Sequence, residues 1–94
     1  MQFHFEWDDD KAERNRRKHG VTFEEATSVF FDPIAGTYPD PDHSAGEQRE
    51  LILGYSSAHR LIMVSYTHRG RTARIISART ATRHERLDHE RGRR

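Results

Sequence analysis

Apolar and polar positions along the chain change their period several times, and each change predicts an element. Phe3, Phe5 and Trp7 alternate with His4 and Glu6, the period of a short half-buried strand that pairs along an existing one. The three aromatics read as core, with base stacking by Trp7 as the alternative. Asp8 to Lys11 then opens a helix over 9–19. Asp8 caps it, carboxylates fill its first turn, Arg14 to Lys18 fill its last, and Gly20 follows as a C′ residue. This helix has almost no apolar content. Its best inward stripe is Ala12, Asn15 and His19, so Asn15 and His19 read as hydrogen-bonded structural residues. Thr22 and Glu25 have capping-box spacing, and Phe23, Ala26, Thr27 and Phe30 follow at helical spacing, predicting a second helix over 23–31 that ends before Pro33. Ile34 to Tyr38 reads as a short strand, and Pro39 to Glu47 as a polar loop.

The second half is dominated by strands. Residues 50–56 place Leu51, Leu53 and Tyr55 on one side and Ile52 on the other. Residues 61–68 and 71–79 form two more strands, joined at Arg69-Gly70, where glycine accepts positive φ. Strict alternation puts Arg71, Ala73, Ile75, Ser77 and Arg79 on one face, and Thr72, Arg74, Ile76, Ala78 and Thr80 on the other. Thr82 and Glu85 make a second capping box and start a third helix, frayed past about residue 89. The order is β-α-α-β-β-β-β-α. Short turns between consecutive strands require antiparallel pairing, and the two early helices must cover one face to bury Phe23 and Phe30.

Length and composition narrow the functions available. Ninety-four residues, one third hydrophobic and one third charged, make a single domain with a small core. Without cysteine there is no disulfide, thiolate nucleophile or zinc finger. No apolar run is long enough for a membrane span and no signal pattern opens the chain, so a cytoplasmic protein with no membrane partner is expected. The net charge of +1 hides a polarity. Residues 1–59 carry six Lys/Arg against twelve Asp/Glu, and residues 60–94 carry ten Arg against three Asp/Glu. Such a chain can bind a polyanion through its basic end, or fold so that its halves neutralise each other.

Candidate chemistry follows the arginines. Arg74 and Arg79 flank the most apolar part of a strand, and a planar guanidinium matches two phosphate oxygens. Arg79 also precedes a helix start, where free N–H groups favour an anion. Glu47 and Arg49 sit where loop becomes strand, and surface ion pairing is the plainer reading of both. His68 ends a strand and can serve as acid or base. Lys11, Arg14 and Lys18 share a helix face able to meet phosphate, although a solvated face is the commoner fate of such charges. Tyr66 can stack on a base or belong to the core. Asp40, Asp42 and His43 lack the spacing of a metal site, so neither metal nor any other cofactor is expected.

These residues also resemble a known family. Phe5-Glu-Trp-Asp, Lys11, Asn15 and Lys18-His-Gly-Val-Thr-Phe-Glu-Glu-Ala26 resemble the opening of the BrnT toxins. Phe31-Asp-Pro33, Gly46-Glu-Gln-Arg49, Tyr66-Thr-His-Arg69 and Arg74-Ile-Ile-Ser-Ala-Arg79 continue the likeness in the family's order over nearly the whole chain. One departure is His89, where the last helix of relatives often carries a tyrosine. The resemblance implies an α+β, RelE-like fold: an antiparallel β-sheet with two N-terminal helices packed on one face and a short C-terminal helix. It implies a ribonuclease toxin of a type II toxin–antitoxin pair, inhibited by a BrnA-type ribbon-helix-helix antitoxin and reaching DNA only through that complex. RNA cleavage without metal needs a proton acceptor, a proton donor and groups that stabilise charge on phosphorus. On that basis Arg79, Arg74, His68 and Glu47 are the expected catalytic residues, and Lys11, Lys18, Arg49, Arg69 and Tyr66 the expected RNA contacts. A non-catalytic module that binds nucleic acid or antitoxin, and a purely structural domain, are the competing readings.

Overall fold

The computed structural model describes residues 4–40 and 48–92. Its elements are β1 (His4–Glu6), α1 (Asp9–His19), α2 (Phe23–Val29), β2 (Gly36–Pro39), β3 (Glu50–Tyr55), β4 (Leu61–Arg69), β5 (Thr72–Thr80) and α3 (Arg83–Arg91). The strands form one sheet in the order β1-β5-β4-β3-β2. β2, β3, β4 and β5 pair antiparallel in sequence. β1 pairs with β5 in parallel, so the sheet is mixed where a purely antiparallel one was expected. The reason is the length of the connection. Two helices separate β1 from β2, enough chain to carry β1 to the opposite edge, where short-turn geometry no longer fixes its direction.

Local signals set most boundaries. The Asp8 side chain accepts from the Lys11 N–H, and Gly20 closes α1 with φ 69°. Thr22 caps α2 by accepting from the Glu25 N–H. Only half of the expected capping box forms there, because the Glu25 carboxylate faces elsewhere. It accepts from the Ser56 hydroxyl (2.7 Å) and forms an ion pair with Arg60, which holds it below the usual carboxylate range. That network ties α2 to the turn between β3 and β4. α3 has a complete capping box from Thr82 and Glu85 and runs two residues beyond the expected fraying point. Gly70, with φ 60°, turns β4 into β5.

The main core lies between the sheet and the first two helices. Phe23, Ala26 and Val29 of α2 pack with Ile52, Ile62, Val64, Tyr66, Ala73, Ile75 and Ala78. Phe5 and Trp7 join this cluster from its margin, and the Trp7 ring meets Phe23 edge-on at 5.9 Å, as the core reading of these two aromatics requires; Phe3 lies outside the described residues. Gly54 lets the end of α2 come this close. A Cβ there would lie 2.8 Å from Ala35 Cβ and 3.1 Å from Val29 Cγ1. A smaller cluster of Leu53, Leu61 and Met63, with Leu51, Tyr55 and Ala81 at its edge, occupies the other face.

Asn15 is the only buried residue of α1. Its amide donates to the carbonyls of Val21 (3.0 Å) and Ala78 (2.8 Å), and its oxygen accepts from the Ala78 N–H (3.1 Å). β1 pairs with β5 only as far as Arg74, so the outer edge at Ala78 has no strand beside it. The asparagine amide supplies the missing neighbour, as the inward stripe of α1 predicted.

Candidate nucleic-acid interface

One irregularity decides which side chains share the face opposite the first two helices. Tyr66 pairs with Ile75 and Ser65 with Ser77, which leaves Ile76 as an extra residue in β5. Such a bulge reverses the alternation beyond it. Ala73, Ile75 and Ala78 therefore all face the first two helices, while Arg74, Ser77 and Arg79 face the other way. Strict alternation had put Arg74 and Arg79 on opposite faces. The bulge corrects that expectation and brings both guanidinium groups to one side. Arg69 and Thr67 lie on the same side by register with Thr72 and Arg74, and Arg49 follows by continuing the alternation of Leu51 and Leu53. This face thus carries Arg49, Arg69, Arg74 and Arg79 beside Ser65, Thr67 and Ser77, with Ser65 and Thr67 buried and Arg79 meeting α3 through Glu85.

The arginines are not equivalent. Arg79 donates from both terminal nitrogens to Glu85, at 2.8 Å to each oxygen. The same carboxylate accepts from the Thr82 N–H at 2.9 Å to complete the cap of α3. Arg79 beside it, with that N–H, holds the Glu85 carboxyl down at about 2, and the guanidinium pKa is raised in return. Arg79 thus anchors α3 as well as lining the face, and its remaining N–H groups are what it has to offer a phosphate. Arg74 contacts Glu6 at 3.6 Å, a looser, half-exposed pair. Glu85 also gives α3 a pH signature. A carboxyl lowered by folding contributes stability that is complete above its unfolded pKa near 4.5 and is lost as pH falls towards about 2. Glu85→Gln is expected to flatten the stability profile across that window. An unchanged acid-unfolding curve would show that the pair adds nothing to folding.

The other expected site residues are dispersed. His68 is exposed and leaves the sheet on the helix side, in register with Ala73, so the structure does not bring it onto the arginine face. Tyr66 is 4% exposed and meets Phe30 edge-on at 4.9 Å. Its ring is core, with no face open to a base, and its hydroxyl donates to Glu50 at 3.3 Å. Burial, then the Glu50 charge and hydrogen bond, push that phenol up to about 12. Lys11 and Lys18 are exposed on α1, which packs on the helix side. Glu47, Gly46, Asp42 and His43 lie outside the described residues.

Sequence reasoning passed over Glu6, a half-exposed carboxylate beside Arg74, and His4, two residues before it on the same side of β1. Their signal was visible as the polar half of the N-terminal alternation. It gained meaning only once β5 was known to be the neighbouring strand. His89 is 6% exposed, with its ring 5.9 Å from Tyr55 and Nε2 without a hydrogen-bond partner among the described residues. It fills the space between α3 and β3.

Comparison with known proteins fits this geometry. Residues 7–85 match the family model described as the ribonuclease toxin BrnT of type II toxin–antitoxin systems. The chain belongs to the BrnT family. Among solved structures it is similar to the Brucella abortus ribonuclease toxin BrnT, with a TM-score of 0.67 and 22% identity over 87% of this chain and 100% of that one. That likeness carries the fold. No curated protein sequence matches the chain. The bulged strand and its arginines, up to Glu85, fall inside the matched region of this BrnT family member. No helix among its described residues is long and apolar enough to cross a membrane.

Proposed function

We propose that this BrnT family member is a metal-independent endoribonuclease of RelE-like fold. It cleaves RNA through attack of the substrate's own 2′-hydroxyl and is neutralised by a BrnA-type ribbon-helix-helix antitoxin. DNA is reached only through the antitoxin in the complex. The observation that carries the catalytic part is the bulge at Ile76, which sets Arg74 and Arg79 on one face of the sheet. Guanidinium groups held by a sheet need little reorganisation as charge builds on the phosphorane, and preorganised donors of this kind are a large source of rate enhancement. Arg49 and Arg69 extend the cationic surface along the backbone. Lys11 and Lys18 act from α1 at longer range, through the field of the whole surface. His68, at the far rim, and Glu47 are the proton-transfer candidates that the sequence offers.

The test is direct. Purified protein incubated with RNA and a chelator is expected to give fragments ending in 2′,3′-cyclic phosphate and 5′-hydroxyl. Cleavage that stops with chelator and returns with a divalent ion would overturn the metal-free mechanism. Salt-sensitive RNA binding that leaves the RNA intact would favour a non-catalytic module instead.

A further inference from the structure

We infer that Glu6 and His4, on the first strand, are the proton-transfer pair of this site, an inference that rests on the RNA-cleaving function proposed above. Phe5 pairs with Ala73 and points into the core between sheet and helices, so His4 and Glu6, on either side of it, point to the arginine face. Glu6 is in register with Arg74 and His4 with Thr72. The backbone of β1 is fixed at its start, where the His4 N–H donates to the Arg71 carbonyl at 3.1 Å. Both side chains belong to exposed residues.

Glu85, Glu50, Tyr66 and His68, other acid–base groups of the sheet region, are committed or face elsewhere. Glu85 holds Arg79 through both oxygens and also accepts the Thr82 N–H. Glu50 accepts from the Tyr66 hydroxyl, and Tyr66 and His68 point to the helix side. Glu6 makes one contact with Arg74, at 3.6 Å, longer than a hydrogen bond. Its oxygens are therefore available to a substrate hydroxyl. Two strand positions span about 6.6 Å, so a carboxylate and an imidazole at His4 and Glu6 can stand on opposite sides of one phosphate held at Arg74.

The proton balance closes with these groups. The Glu6 carboxylate takes the proton of the 2′-hydroxyl as the 2′-oxygen bonds to phosphorus. The bond from phosphorus to the 5′-oxygen breaks, and protonated His4 gives its proton to that oxygen. Arg74 neutralises the charge gathered on the non-bridging oxygens. A 2′,3′-cyclic phosphate and a 5′-hydroxyl leave, and exchange with water returns Glu6 and His4 to their starting states. The groups facing this pair from β5 are Arg74 opposite Glu6 and Thr72 opposite His4, with Arg71 at the adjoining turn.

The experiment compares wild type, Glu6→Gln, Glu6→Asp, His4→Gln and Glu50→Gln on an RNA oligonucleotide with chelator present. It measures RNA affinity, thermal midpoint and the rate as a function of pH. Glu6→Gln is expected to lose about 100-fold in rate, within the range for a general base, while binding RNA as tightly as wild type or more tightly. Its rate is expected to lose the acidic limb, with partial recovery in Glu6→Asp. His4→Gln is expected to lose the alkaline limb, and Glu50→Gln to keep the wild-type rate. A Glu6→Gln protein that cleaves as fast as wild type, or faster, overturns the inference and reduces Glu6 to a counter-ion of Arg74. Loss of activity in Glu50→Gln alone moves the base to the helix side and overturns it equally. If wild type fails to cleave, the proposed function falls and this pair falls with it. If wild type cleaves and Glu6→Gln matches it, only the pair is lost.

Discussion

Arg74→Ala is expected to cut RNA cleavage by about 10²–10³-fold, the loss typical of removing one preorganised donor to transition-state charge. The fold is expected to survive. Arg74 is half-exposed and its pairing with Glu6 is at 3.6 Å, a kind of contact worth under about 1 kcal/mol. RNA affinity is expected to fall modestly, with the slope of log affinity against log salt shallower by about one phosphate contact. Arg79→Ala has a mixed outcome, because it also releases Glu85 and loosens the start of α3. Its lower activity should come with a lower thermal midpoint, whereas Arg74→Ala separates chemistry from folding. The two are distinguished by cleavage assays run beside thermal melts on the same preparations. An Arg74→Ala protein that cleaves normally, beside an inactive but well-folded Arg79→Ala, would move the phosphate site to the α3 end of the face.

The contrast between these arginines shows where sequence reading succeeds and where it stops. Signals that act within a few residues were legible. Asp8 and Gly20 bracket α1, Thr82 and Glu85 start α3, and Gly70 turns the hairpin, each through geometry that depends only on near neighbours. The two sides of β3 were legible too, because one regular period runs through it. What depended on a distant partner was not. The bulge at Ile76 exists only in the pairing of β5 with β4, and nothing in the alternation of Arg71 to Arg79 announces it. The parallel edge strand is set by a connection through two helices, so the polar side of β1 had no address until β5 was placed beside it. Glu25 had capping-box spacing, yet a salt bridge to Arg60, 35 residues away, drew it off. Tyr66 reads the same way whether it packs or stacks. Phe30 edge-on to its ring settles the matter, and that contact spans two elements. Arg74 and Arg79 were named from composition and spacing, but their common face came from tertiary structure.

Asn15→Ala is expected to be among the most destabilising single substitutions in this chain. The asparagine amide makes three hydrogen bonds in a buried setting, two of them to the N–H and carbonyl of Ala78. Truncation leaves those backbone groups and the Val21 carbonyl without partners, and each unsatisfied buried group costs about 1–3 kcal/mol. Partial relaxation keeps the sum below the maximum, so a loss on the order of 3 kcal/mol is expected. For a domain of this size that lowers the thermal midpoint by about 12–24 °C, at about 4–8 °C per kcal/mol. Total stabilities of about 5–15 kcal/mol leave little reserve against such a loss. Arg17→Ala is the control. Its contact with Glu13 is on the exposed surface of the same helix, so it tests whether loss of a charge and a surface ion pair in α1 is enough. Asn15→Asp sharpens the reading, since it keeps an acceptor for the Ala78 N–H but sets a carboxylate against two carbonyls. Thermal melts of the three variants check the argument, and a midpoint for Asn15→Ala within a few degrees of wild type would sink it. Asn15 acts on function through the same bonds. It holds the stretch of β5 between Arg74 and Arg79, so its loss is expected to slow RNA cleavage even at temperatures where the variant stays folded.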